Sequence, residues 1–140
     1  MRVAFPSGTR SAPTDRNPST VANALNGNAT GGGVTTLGTY TVPAGRRADI
    51  TLTLGTVITV ALVAAQNASG TATFTPSGGG AQTVWRSQYI GALAVNNRDD
   101  APAIRLQMKA GDAILLQIQA DAGAGTIQGA GGVQGVEYDA

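Results

Sequence analysis

The sequence predicts an all-β protein: a single β-sandwich or jelly roll of about eight short strands that follows an extended N-terminal arm. From Val34 onward, apolar and β-branched residues alternate with polar ones, which is typical of strands with one buried face. Turns containing Gly, Pro or Asn separate these runs at the spacing common in sandwiches. The 140 residues suit one domain, and with 12% charged residues they do not resemble a helical bundle or a coiled coil.

Residues 1–33 are predicted to be the arm. They contain 5 Gly, 3 Pro and 11 Ser, Thr or Asn, too polar a composition to bury a core of its own. The only hint of regular structure is a helical turn or two at 19–25. We therefore expect the arm to lie extended on neighbouring subunits, either another protein or a sister copy, while the body folds without it. Three basic residues of the arm are expected to contact acidic or carbonyl-rich patches of the neighbour: Arg2, Arg10 and Arg16. Three apolar residues are expected to insert into apolar sites of the neighbour: Phe5, Val21 and Leu25.

Residues 34–140 are predicted to be the β-sandwich domain. The first strand, 34–42, ends at the turn Pro43-Ala44-Gly45, where Pro and Gly supply the backbone angles of a tight turn. Gly55 is expected to end the second strand. Further strands are expected at 57–65, 71–75, 82–90, 103–108 and 113–120, with short irregular strands at 123–135. The alternation places nine side chains in the core: Ile50, Leu52, Leu54, Val60, Leu62, Phe74, Ile114, Leu116 and Ile118.

Composition argues against catalysis. The chain has no His and no Cys, which excludes imidazole or thiolate metal sites, Cys nucleophiles and Ser-His-Asp triads. Its Gly runs lack the strand-to-helix context and the Lys of a phosphate-binding loop. Asp99 and Asp100 lie in a polar loop with two Asn residues and are read as solvated loop acids in preference to a Ca²⁺ site. We expect no enzymatic activity, no cofactor and no metal.

Charge and hydropathy limit the partners. A net charge of +1 is unlike the basic balance of nucleic-acid-binding proteins, so no nucleic acid is expected. The longest apolar run, 57–65, is well short of the roughly 20 residues that span a membrane, and the start lacks the apolar region of a secretion signal.

Two groups of residues have binding character. Trp85, Arg86 and Tyr89 are of the types that anchor protein interfaces, but Trp85 could equally fill the centre of the sandwich while Arg86 points to solvent. Arg46 and Arg47 follow the first turn and are expected on the surface, where they either dock an acidic partner or are ordinary solvated charges.

The arm, the short β-domain and two turn segments, YTVPAGRRA at 40–48 and KAGDAI at 109–114, resemble small virion proteins of tailed bacteriophages. The most similar type is the capsid decoration (cement) protein, with related jelly-roll modules in head fibres and tail tips. The resemblance covers roughly residues 34–120 in the arrangement of predicted strands, and only the two turn segments in amino-acid sequence.

This resemblance implies a non-enzymatic structural protein that binds the assembled capsid and stabilises it. It also implies a homotrimer seated on the major capsid protein, on the capsid exterior, after synthesis in the host cytoplasm. No catalytic or cofactor residue is carried over. The alternative is a tail-tip or fibre module that binds a host surface receptor, for which Trp85 and Tyr89 are the candidate contacts.

Overall fold

A computed structural model describes residues 17–140, and this part of the chain contains nine strands and no helix. The strands are β1 (Ser19–Thr30), β2 (Val34–Thr41), β3 (Arg46–Val60), β4 (Asn67–Thr75), β5 (Gln82–Ile90), β6 (Arg98–Asp100), β7 (Ile104–Lys109), β8 (Ala113–Ala120) and β9 (Thr126–Asp139).

The strands form two antiparallel sheets packed face to face. Sheet A has the order β1-β9-β3, and both β6 and β7 pair with the far edge of β3. Sheet B has the order β2-β8-β4-β5. Strands β1 and β2 are joined by a turn in which Gly31 and Gly32 have φ of 73° and 90°, values that favour glycine. The predicted all-β sandwich is confirmed.

The core lies between the sheets and is built from the inward residues of alternating strands. Seven of the nine predicted core residues are buried: Ile50, Leu52, Leu54, Leu62, Ile114, Leu116 and Ile118. Phe74 is half-buried and packs against this core. Val60 was predicted wrongly, since it is 47% exposed. The pairing of β3 with β9 shifts register between Ile58 and Val60, and such a bulge breaks the alternation on which the prediction depended.

The boundary predicted at residue 33 is also corrected. Residues 19–30 form β1, which pairs with β9 along its whole length, so they belong to the sandwich and contain no helical turn. Val21 is buried and Leu25 packs against the core, so both side chains face the sandwich interior. Leu25 fits there because Gly38 on β2 has no side chain: a Cβ at Gly38 would lie 2.5 Å from Leu25 Cδ2. A polar segment can therefore be a strand because its neighbours supply the apolar contacts.

Residues 1–16 lie outside the described part of the chain. The predicted contacts of Arg2, Phe5, Arg10 and Arg16 fall there and stay predictions.

Two strands are longer than the sequence predicts. β3 continues through Gly55 to Val60, and the segment expected to be irregular forms most of the 14-residue β9. β9 lies between β1 and β3, so its backbone is paired on both sides. Gly131 has no room for a side chain, because a Cβ there would lie 3.0 Å from Leu54 Cα. Close backbone approach, which glycine alone permits, places this Gly-rich strand inside the sheet.

Leu116→Ala should destabilise the protein by about 2–5 kcal/mol, because Leu116 is fully buried and its loss leaves a cavity between the sheets. Leu115→Ala is the matched control, since Leu115 is only half-buried on the opposite face of the same strand. Urea unfolding followed by the fluorescence of Trp85 measures both. A loss below about 0.5 kcal/mol for Leu116→Ala would contradict the assigned register.

Candidate assembly surface

A buried polar cluster links the two sheets. Thr56 on β3 places its Oγ1 2.8 Å from the Tyr89 hydroxyl and 3.0 Å from the Ser87 hydroxyl, both on β5. The Tyr89 hydroxyl donates to the Thr56 carbonyl at 3.0 Å, and the Gly70 amide donates to Ser87 Oγ at 3.1 Å. Each of these hydroxyls thus has a partner in the interior, as buried polar groups require. The cluster holds β5 against sheet A.

Tyr89 is therefore a structural residue and not part of an exposed aromatic surface. Its side chain is 5% exposed, and burial raises the pKa of its hydroxyl. Trp85 is half-buried and packs against the core, whereas Arg86 is exposed on the outer face of sheet B. The alternative in which Trp85 faces inward and Arg86 faces solvent agrees with this arrangement. The partner-binding role of the three residues stays a prediction.

A second polar cluster lies at the end of the sandwich where β1 begins. Arg46, expected on the surface, is largely buried and pairs with two acids of its own chain, Asp139 at 2.7 Å and Glu137 at 3.7 Å. Its Nη2 also donates to the Ser19 hydroxyl at 2.9 Å and to the Asn17 carbonyl at 3.0 Å. Arg46 thereby ties the start of β1 to the end of β9. Arg47, the next residue, is exposed as expected, and its role toward a partner stays a prediction.

Tyr40 completes this end cluster. Its hydroxyl donates to Glu137 Oε1 at 2.8 Å, and its side chain is 7% exposed. Burial and the Glu137 carboxylate both raise the pKa of Tyr40 well above its ordinary value of 10.0. Strand β2 of sheet B is thus joined to β9 of sheet A through a neutral hydroxyl.

The outer face of sheet A is unusually poor in charge along β1, β9 and the middle of β3. The pairing registers and the alternation of exposure place small or uncharged side chains side by side there. We call this surface the neutral face; it comprises Thr20, Ala22, Ala24, Asn26, Asn28, Gln128, Ala130, Gln134, Val136, Thr51 and Thr53, and it ends at Gly55, where the Asp100 carboxylate lies over the strand. Charged residues lie only along its border, at Arg47 and Asp49 and on β6 and β7.

The sequence analysis did not predict the neutral face, although the sequence of β1 and β9 contains an alternating pattern. Ala, Thr, Gln and Asn alternate through 19–30 and 126–138, but without large apolar partners this alternation did not predict strands. The missing information was the pairing of β1 with β9, which joins residues more than 90 positions apart.

The described residues offer no group suited to metal binding. Within 17–140 no three carboxylates lie close enough together to hold a metal ion. Asp99 and Asp100 belong to β6, which pairs with β3. Two shallow grooves open on the outer side of sheet A. One has a volume of about 420 Å³ and is lined by residues that include Thr53 and Asp100. The other has a volume of about 530 Å³ and is lined by residues that include Thr51 and Arg105. No helix in 17–140 could cross a membrane.

No protein-family model matches the sequence, and no curated protein matches it significantly. Similar solved structures include a chain of infectious bursal disease virus Gx strain, with a TM-score of 0.45 and 11% identity over 88% of this chain. They also include the VP2 subviral particle of that virus, with a TM-score of 0.45 and 14% identity over 88% of this chain. A Bacillus endospore appendage protein has a TM-score of 0.39 and 10% identity over 99% of this chain.

The chain spans only 41% and 33% of the two viral chains, but 98% of the appendage protein. At these identities and TM-scores the likeness assigns no function.

Tyr89→Phe should lower the free energy of unfolding by about 1–3 kcal/mol, because the Thr56 carbonyl loses its buried hydroxyl donor. Tyr138→Phe is the matched control, since within 17–140 the Tyr138 hydroxyl has no hydrogen-bond partner. Urea denaturation at pH 7 measures both changes. Equal effects of the two substitutions would argue against the inter-sheet role of the cluster.

Stability should fall as the pH rises above about 10. In the unfolded chain Tyr40 ionises near its ordinary pKa, whereas in the folded protein it keeps its proton because its pKa is raised. The folded state then binds more protons than the unfolded state, so the free energy of unfolding decreases with increasing pH. Tyr40→Phe should make this decrease shallower, as measured by urea midpoints at several pH values from 8 to about 11. An unchanged slope in the variant would contradict the assignment.

Proposed function

We propose that the protein is a non-enzymatic structural component of a virus particle, a decoration protein that binds the assembled capsid of a tailed bacteriophage. The observation that carries the binding role is the neutral face, a surface of short, uncharged side chains that extends over β1, β9 and the middle of β3. The assignment to a phage capsid comes from the resemblance of the two turn segments at 40–48 and 109–114.

A decoration protein acts by differential binding. It binds the assembled shell and not the dissociated capsid subunits, so each bound copy shifts the equilibrium toward the shell. A surface of short, uncharged side chains suits this task because it can contact major capsid protein over several strands without a deep pocket. Small side chains such as Ala130 and Thr53 lose little conformational entropy when they are covered.

The absence of charge on the neutral face has a measurable consequence. Interactions between surface charges weaken as salt is added, whereas contacts between uncharged surfaces do not depend on screening. Attachment through this face should therefore persist at high ionic strength. The partner surface should be uncharged as well, because a charge buried there would lose its hydration without gaining a counter-ion.

Residues 1–16 belong to the proposal as a second contact. Arg46 fixes the point at which they join the sandwich by donating to the Asn17 carbonyl and to Ser19. From that point Arg2, Phe5, Arg10 and Arg16 would contact neighbouring subunits. The homotrimer and the capsid-exterior location implied by the resemblance stay predictions.

The alternative of a receptor-binding tail module loses its main support. It needs Trp85 and Tyr89 as an exposed aromatic pair, but Tyr89 is buried and its hydroxyl is bonded to Thr56.

Ala130→Arg should weaken attachment to the particle at least tenfold, a loss of about 1.4 kcal/mol or more, because it places a charge in the middle of the neutral face. Ala81→Arg is the matched control, an exposed alanine beside sheet B. Each purified variant is added to particles stripped of this protein, and occupancy and heat resistance of the shell are measured. Wild-type occupancy by Ala130→Arg would contradict docking through this face. No binding by the wild-type protein would contradict the function itself.

A further inference from the structure

We propose that β1 pairs with β1 of a second copy of this chain, in antiparallel orientation, so that sheet A continues across a two-fold axis. This pairing uses the edge of the sheet, whereas the proposed capsid contact uses its outer face. The pairing can be tested without a capsid, and it is an alternative to the homotrimer that the resemblance implies.

The first argument is the state of the β1 edge. β1 has 12 residues, pairs with β9 without a register shift, and contains no charged residue and no proline. A long, regular and neutral edge strand is a template for another strand, and proteins that stay monomeric usually block such edges. Within β1 only the carbonyl of Asn28, which is bonded to the Thr35 hydroxyl, is closed to a partner strand.

The other edges of the two sheets are each blocked. β6 consists of the charged residues Arg98–Asp100, and β7 carries Arg105 and Lys109. On sheet B, β2 has a register shift between Thr36 and Gly38, and the pairing of β5 with β4 shifts after Ala72. Charges and bulges of this kind prevent edge-to-edge association. The contrast singles out β1 among the described edge strands.

The free backbone groups of β1 can be assigned. The Asn28 carbonyl accepts a hydrogen bond from the Thr35 hydroxyl of β2 at 2.9 Å, so it points away from β9. Since backbone groups alternate in direction along an antiparallel strand, the even-numbered residues from Thr20 to Asn26 direct free N–H and C=O groups to the open edge, whereas the Asn28 carbonyl on that edge is already bonded to Thr35. Ala22, Ala24 and Asn26 are exposed there.

A second copy of β1 matches this edge in length and charge. With a two-fold axis at Ala24, Thr20 of one copy lies opposite Asn28 of the other, and Ala22 lies opposite Asn26. Every even-numbered residue of the segment then meets an even-numbered one, and no like charges face each other. Residues 1–16 match less well, because Pro6 and Pro13 interrupt any run as long as β1.

The area of the neutral face also favours two copies. At ~3.3 Å per residue and ~4.8 Å between strands, three strands of this length cover roughly 570 Å². A stable protein interface buries about 800 Å² on each partner. Joining two copies through β1 would double the surface to roughly 1,100 Å² without adding a residue.

The test uses the full chain. In size-exclusion chromatography with light scattering at about 50 μM, the wild-type protein should have twice the chain mass of 14.0 kDa. Ala24→Pro removes an N–H from the open edge and should raise the dimer dissociation constant at least tenfold, whereas Ala130→Arg should remain dimeric. A single-copy or three-copy mass for the wild-type protein would overturn the proposal, and so would an Ala24→Pro variant that is folded and still dimeric.

A cross-link provides a readout that does not depend on the folding of Ala24→Pro. The chain has no cysteine, so any disulfide in a single-cysteine variant joins two copies. Ala24→Cys places the two thiols opposite each other at the axis and should form a covalent dimer under mild oxidation. Thr20→Cys, on the same strand, should not, because its symmetry mate lies roughly 27 Å away at ~3.3 Å per residue. Equal cross-linking of the two variants, or none with Ala24→Cys, would overturn the two-fold register.

Discussion

The position of β9 between β1 and β3 is the constraint on which the rest of the structure depends. The last strand of the chain pairs with the first described strand on one side and with the longest strand on the other. This arrangement requires backbones to approach closely, and glycines such as Gly131 permit it by having no side chain to displace. Arg46 then secures the same junction electrostatically, through Glu137 and Asp139 of β9 and Ser19 of β1.

The functional surfaces follow from this arrangement. A glycine- and alanine-rich central strand gives the neutral face its short, uncharged side chains, and β1 pairs with it along its whole length without a bulge. The interior polar clusters serve a different purpose, since Thr56 and Tyr89 join the sheets instead of facing a ligand. These buried hydrogen bonds hold the two sheets, and with them the neutral face, in a fixed arrangement.

Much of the fold could be predicted from sequence because β3 and β8 alternate strongly. The burial of residues such as Ile50, Leu52 and Leu116 can be predicted from the apolar residues two positions away, which is local sequence information. β1 and β9 could not be predicted in the same way, since their burial comes from each other and from β3. Val60 shows a further limit, because a bulge reverses a strand face without a clear sequence signal. Among the candidate site residues, one of the two alternatives placed Arg86 in solvent, where the structure has it. The ion pairs of Arg46 could not be predicted, because their partners Glu137 and Asp139 are about 90 residues away in the sequence.

Both proposals place sheet A on the assembly side of the protein. A cryo-electron microscopy map of the particle with the protein bound tests it most directly, at a resolution that separates the strands. We expect the outer face of sheet A to lie on the capsid, with Ala130 at the contact and the β1 strands of two copies side by side. A map in which sheet B or the loop at 76–81 faces the shell, or in which the protein occupies the tail and not the head, would contradict it.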